Sequence, residues 1–287
     1  MFFSPDGFLS LKSSIPQIAV IHDLNFEHYP EDLPKQYTKY YKKYFPLFAR
    51  KATRIITVSE FSKKDISEQY GISSEKIDVA YNGVSDSFNP SELSEIKTTR
   101  EKFSDGSPYL VYVGALHARK NIERMLLAFD QFKKANNTDY KMLIVGEKIW
   151  KNTNFETTLE NLNFKNDVLF TGRVSSTDLN KIIGSSEGLV YASYFEGFGI
   201  PIIEGMKCNV PVITSKVSSM PEVAGDAAIL VDPFSVDSIS KGMEQLLDNE
   251  KTDKLIQLGA KRALDFTWEN TSKEVWNSIE KVITKLN

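Results

Sequence analysis

A chain of 287 residues with 41% hydrophobic and 25% charged composition has ordinary globular usage and is long enough to bury two modest cores. Its 35 Lys and Arg stand against 38 Asp and Glu, a net charge of -3, so no cationic field is available to hold a polyanion and nucleic acid is excluded as an expected partner. A lone cysteine, Cys208, allows no internal disulfide and suits a reducing, cytoplasmic compartment.

From the start of the chain, Met1 to Ser14 lacks the basic and apolar regions of a secretory signal, and nowhere do 18 apolar residues run together, so neither a signal peptide nor a spanning helix is expected. Short apolar runs then alternate with longer amphipathic stretches, the pattern of parallel strands covered by crossover helices. Ile18 to Ile21, Arg54 to Val58 and Ile77 to Tyr81 read as strands, and a helix beginning near Ser59 closes at Gly71. Between Lys35 and Arg54 stand seven Lys or Arg and no acidic residue, interleaved with Tyr37, Tyr40, Tyr41, Tyr44, Phe45 and Phe48. That pattern suits an interfacial surface facing an anionic membrane or lipid-linked acceptor as well as it suits a cover helix, and Pro46 is expected to interrupt any continuous helix.

The polar stretch from Asn82 to Ser107, with Asn82-Gly83, Pro90 and Asp105-Gly106, reads as a linker, dividing domain 1–90 from domain 91–267. The rhythm restarts with strands at Tyr109 to Val113, Lys141 to Val145, Val168 to Thr171, Leu189 to Ala192, Pro211 to Thr214 and Ile229 to Val231, enough for a complete doubly wound sheet. Ile122, Met125, Leu126, Phe129 and Phe132 recur at helical spacing behind Asn121, a suitable N-cap. At the end of the chain, Trp268 to Leu286 carries Val275, Trp276, Ile279, Val282 and Ile283 on one face and is expected to be a docked helix.

The chemistry concentrates in Tyr194-Phe-Glu-Gly-Phe-Gly-Ile-Pro-Ile-Ile-Glu204, which follows an apolar strand and enters a helix at Pro201. Glu196 in the loop and Glu204 in the first helical turn are both expected to face the crevice beyond the strand, where carboxylates can accept hydrogen bonds from vicinal hydroxyls. Gly197 and Gly199 let backbone amides approach a ligand, and the helix N-terminus favours phosphate. By themselves two glutamates at this spacing fit acidic residues complementing a helix dipole better than a ligand site, by about two to one.

This segment resembles the E-x7-E motif of retaining glycosyltransferases of the GT-B fold, family-4 type. Val113-Gly-Ala-Leu-His-Ala-Arg-Lys-Asn121 is similar to that family's diphosphate-binding strand and loop, Tyr191 to Gly199 to its donor-sugar loop, and Met220-Pro-Glu-Val-Ala-Gly-Asp226 to the turn that follows. The resemblance implies two Rossmann-like domains, the second binding a nucleotide-sugar donor. It implies that Lys120, with Arg119 beside it, contacts the donor diphosphate, that Glu204 holds the ribose hydroxyls, and that Glu196 with the amides of Phe198 and Gly199 holds the transferred sugar. Gly172 and Arg173 would lie near the base, and His22, matching the family's His-Asp strand end, would position sugar and acceptor. Where many relatives carry a second cation directly after the strand glycine, this chain has Ala115. By the same resemblance the reaction is transfer of a hexose to an acceptor hydroxyl with retention, by front-face attack assisted by the leaving phosphate, in cell-surface polysaccharide or glycolipid synthesis. The acceptor would be lipid-linked or saccharide.

No D-x-D triplet occurs, and His22, His28 and His117 lack metal-ligand spacing, so no metal or other cofactor is implied. Only about three strands precede the linker, and the family's opening βαβ units have no counterpart before Ile18, so the N-terminal domain is expected to be incomplete, with the final helix 268–287 packing back on it. This motivates the alternative of a non-catalytic nucleotide-sugar-binding subunit or an inactive, truncated transferase. A dinucleotide oxidoreductase is disfavoured because no G-x-G-x-x-G follows any strand.

Overall fold

The computed structural model describes residues 1–147 and 153–284; the last residues of the expected C-terminal helix, 285–287, lie outside the described residues. The chain divides into two compact units: Met1–Gly83 with Glu196–Phe198 and Phe266–Asn287, and Val84–Phe195 with Gly199–Asp265.

The first unit is built on a four-stranded parallel sheet of β1 (Phe2–Ser4), β2 (Gln17–Val20), β3 (Arg54–Thr57) and β4 (Ile77–Val79), paired in that order. β1 was not legible from periodicity, because three residues are too few to show alternation; its register, Phe2 opposite Gln17, is set by pairing with β2. Both faces of the sheet are covered, and side chains divide by the two-residue period. Ala19, Ile21 and Ile55 join Phe26, Phe45, Phe48 and Ile66 in one cluster. Ile18, Val20 and Ile56 face Val275, Ile279 and Val282 of the helix Trp268–Ile283 in another. Two residues assigned to that helix's apolar face are not part of the dock: Trp276 is 57% and Ile283 42% exposed. The buried stripe follows 275, 279 and 282, and Trp276 turns outward to donate through Nε1 to Glu280.

The helix Lys35–Lys51 runs unbroken through Pro46, contrary to expectation. Proline removes one bond to the preceding turn, but Phe45, Phe48 and Ala49 are buried on its inner face, and Phe45 meets Phe26 edge-on at 5.0 Å. Tertiary burial here outweighs a local defect of about 3 kcal/mol. The Ser59 hydroxyl accepts from the Ser62 amide and Gly71 takes the left-handed C-cap, as the sequence indicates.

The second unit carries a six-stranded, all-parallel sheet of β5 (Tyr109–Val113), β6 (Lys141–Val145), β7 (Val168–Gly172), β8 (Gly188–Tyr191), β9 (Val212–Ser215) and β10 (Ala228–Val231). Their order is β10-β9-β8-β5-β6-β7. The chain winds outward from β5 to β7, returns to β8 beside β5, and winds out the other way, which is a doubly wound Rossmann-like topology with its switch point between β5 and β8. Tyr109 to Tyr112, Leu189 and Ile213 are fully buried, as are Met125, Leu126, Phe129 and Phe132 of the helix Ile122–Asn136. The segment read as linker contains a helix, Leu93–Ser104. It shows no apolar stripe because polar ties hold it: Arg100 donates to the Ser185 carbonyl and to Glu187, and Lys181 pairs with Glu95.

Candidate active site

In a doubly wound sheet, the carboxyl ends of the two strands at the switch point open a crevice, because their following loops diverge to opposite faces. Here those loops are Gly114–Asn121 after β5 and Ala192–Gly199 after β8. Within the second unit they are stitched together. The Tyr194 amide donates to the Arg119 carbonyl (3.0 Å), and Arg119 Nη1 donates to the Phe195 carbonyl (3.0 Å). Lys120 Nζ donates to the Tyr191 hydroxyl (2.6 Å). Arg119 and Lys120 thus converge on the end of β8, half-buried, at the start of the helix Ile122–Asn136.

Asn121 occupies the N-cap position, yet its side chain does not cap; the residue is in the left-handed conformation (φ 61°). Its Nδ2 donates to the carbonyls of Ala192 (2.9 Å) and Pro233 (2.7 Å), tying three loops at the carboxyl edge of the sheet. Sequence reasoning assigned it the local role, since a short amide before a helix reads as a cap whatever its tertiary partners.

The helix Ile200–Lys207 has Pro201 at its start, as expected, and Gly199 at its N-cap with φ 97°. Glu204 is the helix's fifth residue, in the second turn rather than the first, and the first turn holds no acidic residue. The dipole-complementing alternative therefore loses its basis. Burial raises the Glu204 carboxyl to about 7, and among the described residues no hydrogen bond or ion pair reaches that carboxylate. A half-buried carboxylate without a hydrogen-bond or ion-pair partner among the described residues has the capacity to accept hydrogen bonds from hydroxyls.

Gly172 and Arg173 lie at the end of β7, the sheet's edge strand, so they are two strands removed from β5, and Arg173 is exposed. The Gly172 carbonyl accepts from the Gly146 amide (3.0 Å), and a Cβ on Gly146 would stand 2.0 Å from the Gly114 carbonyl oxygen. Gly146 also has φ 143°. Glycine there lets the ends of β5, β6 and β7 close up, and its sequence signal was a glycine directly after an apolar strand.

Glu196, Gly197 and Phe198 belong to the first unit. Glu196 is buried at 5% exposure. Gly197 lies against the backbone of His22: a Cβ would meet the His22 carbonyl oxygen at 2.3 Å, and the Ser62 hydroxyl donates to the carbonyls of His22 (3.1 Å) and Gly197 (3.4 Å). Phe198 packs into an aromatic cluster with Tyr81 and Phe266. The exposed His22 ring reaches the Pro5 carbonyl through Nε2 at 3.1 Å. The structure thus groups His22 with Gly197, and Arg119 with Lys120.

A model of the glycosyl transferases group 1 family matches residues 94–262, and one of Glycosyltransferase Family 4 matches residues 2–88. The chain belongs to the glycosyl transferases group 1 family. Relatives of this glycosyltransferase include O-antigen chain mannosyltransferase B of Escherichia coli, 29% identical over 263 residues, 91% of this chain and 69% of that protein. The O-antigen chain mannosyltransferase RfbU of Salmonella typhimurium is 31% identical over 235 residues, 81% of this chain and 62% of that protein. Among solved structures, the fold resembles Anabaena HepE in complex with UDP and glucose, with TM-score 0.78 and 18% identity over 92% of this chain and 71% of that one. It also resembles sucrose-phosphate synthase of Thermosynechococcus elongatus, with TM-score 0.80 and 18% identity over 96% of this chain and 69% of that one. The fold is α/β of the GT-B type.

No described helix is long and apolar enough to cross a membrane. Cys208 is buried, and burial pushes its thiol up to about 12, which makes it a packing residue.

Proposed function

We propose that this glycosyltransferase moves a hexose, with retention, from a nucleoside-diphosphate sugar to an acceptor hydroxyl in cell-surface glycan synthesis. The observation that carries the proposal is Glu204, a half-buried carboxylate with no hydrogen bond or ion pair among the described residues, on the helix that follows the loop after β8, the strand whose last residue, Tyr191, binds Lys120. In this reading Glu204 accepts from the ribose hydroxyls. Lys120, with Arg119, meets the diphosphate, whose charge grows as the glycosidic bond breaks. The leaving phosphate then assists attack on the same face of the sugar. Glu196 and the amides of Phe198 and Gly199 hold the transferred sugar, His22 positions it, and the base lies toward Gly172 and Arg173. The names of the two O-antigen relatives favour mannose as the sugar and a lipid-linked or growing saccharide as the acceptor.

Because Lys120, backbone amides and helix N-termini can carry the diphosphate charge, the reaction is expected to need no metal and to proceed undiminished in EDTA. The test of the main assignment is donor turnover by Glu204→Ala and Lys120→Ala with GDP-mannose and UDP-hexoses. Wild-type turnover in both variants would refute the site.

The same reading puts the protein on the cytoplasmic side of a membrane. The outer face of the helix Lys35–Lys51 exposes Tyr37 (45%), Tyr40 (41%) and Leu47 (40%) among Lys35, Lys39, Lys42 and Lys43, a composition that fits anionic headgroups. Flotation with phosphatidylglycerol vesicles but not with phosphatidylcholine vesicles is the expected result, and equal behaviour with both would remove this contact.

A further inference from the structure

Lys120 does not stand on a flexible stem. Its Nζ is 2.6 Å from the Tyr191 hydroxyl and 5.0 Å from the centre of the same ring. An ammonium nearly twice as far from the ring centre as from the oxygen lies beyond the hydroxyl, not over the π face. The oxygen, rather than the ring, therefore holds it.

Tyr191 is itself tightly fixed. It ends β8, is 1% exposed, and stacks on Tyr112 of β5 with centroids 6.2 Å apart and planes 13° from parallel. Its carbonyl accepts from the Thr214 hydroxyl (3.0 Å), and the Tyr112 hydroxyl donates to the Ala115 carbonyl (3.1 Å), bracing the loop that carries Lys120. Two buried tyrosines thus stand side by side on the two strands of the switch point, each with its hydroxyl directed to the loop after β5. A strand buried on both faces has no need of a phenol at its last position unless the oxygen has a partner, and here the partner is a cation.

We propose that Tyr191 is a positioning residue: its hydroxyl holds the Lys120 ammonium ready for the donor diphosphate. The inference rests on the reading of Lys120 as the diphosphate contact. A lysine free in solution loses most of its rotamer freedom when it grips an anion, and fixing it beforehand removes that cost from binding. The phenol oxygen accepts one N–H of the ammonium.

Tyr191→Phe deletes the hydroxyl and keeps the ring and its stacking. The experiment compares wild type, Tyr191→Phe and Lys120→Ala for binding of UDP and GDP by calorimetry, and of uridine and guanosine by ligand-observed NMR. Tyr191→Phe is expected to weaken the preferred nucleoside diphosphate about ten-fold, which is about 1.4 kcal/mol, with no change for the nucleoside. Lys120→Ala should weaken the diphosphate more, again without affecting the nucleoside. If Lys120→Ala weakens the diphosphate and Tyr191→Phe does not, the positioning role fails while the site stands. If Lys120→Ala binds the diphosphate as wild type does, the Lys120 assignment itself fails. Equal losses for nucleoside and diphosphate in Tyr191→Phe, or its failure to fold, would make the hydroxyl structural and overturn the proposal.

Discussion

Burial holds Glu204 in a state that costs stability, and this can be measured. Its carboxyl is raised by burial from 4.5 to about 7. A raised acid pKa means that the native state keeps its proton after the unfolded chain has lost it. Stability is therefore intact below the unfolded value, falls as pH rises from about 4.5 to 7, and is flat above. The shift of about 2.5 units corresponds to ~3 kcal/mol, an upper figure because relaxation and water entry reduce it. Glu204→Gln removes the charge and should stabilise the fold by up to ~3 kcal/mol at pH 8, with little effect at pH 4.5. Binding responds in the opposite sense. Hydroxyls donating to the carboxylate stabilise its ionised form, at about 1.5–3 kcal/mol for each hydrogen bond to a charged group. Donor affinity should accordingly rise with pH through 7, protons should be released on binding near pH 6.5, and Glu204→Gln should weaken binding by at least ten-fold. Calorimetry of UDP and GDP in buffers of differing ionisation enthalpy, paired with urea unfolding of both proteins from pH 4.5 to 8, reads all three effects. Binding independent of pH together with unchanged stability in Glu204→Gln would refute the reasoning.

Asp78 offers the converse case. Burial opposes its ionisation, but hydrogen bonds from Arg54, Lys281 and Ser278 prevail and hold it at about 2. Its contribution is present above the ordinary value of 3.8 and is lost as pH falls from there toward 2, so Asp78→Asn should cost ~2 kcal/mol at pH 7 in urea unfolding, with the loss vanishing in acid. Gly146→Ala would set a Cβ 2.0 Å from a backbone oxygen at φ 143°, and a loss of more than ~3 kcal/mol, or insolubility, is expected. Thermal unfolding within 2 °C of wild type, roughly a ΔΔG below 1 kcal/mol, would show that the strand ends can separate. Pro46→Ala restores an amide able to bond the Lys42 carbonyl and should raise the melting temperature, with a gain of up to ~3 kcal/mol. A fall would mean that the proline ring packs better than alanine.

Much of the second unit was legible because its strands are buried on both faces and so appear as unbroken apolar runs; all six were found within a residue or two of their observed limits. Local caps were equally legible at Ser59, Gly71 and Pro201, since each acts on its own neighbours in the chain. The failures share a cause. β1 has too few residues to show a period, Leu93–Ser104 is anchored by ion pairs rather than by a stripe, and Pro46 is tolerated only because Phe45 and Phe48 are buried beside it.

Within the candidate site, charged groups and glycines gathered between a strand and a helix marked Glu196 and Glu204 as candidates, and it took the resemblance to a family motif to favour them and to add Lys120. Their surroundings were not readable in the same way. That Glu204 lacks a partner among the described residues, that Asn121 ties three loops together rather than capping its helix, and that Lys120 rests on Tyr191 are relations between segments tens of residues apart. Sequence records what each residue can do with its immediate neighbours, and that determined the strands, the turns and the chemistry on offer. Hydrogen-bond partners and desolvation depend on which segments the fold brings together, so only tertiary structure decided what surrounds each of those groups.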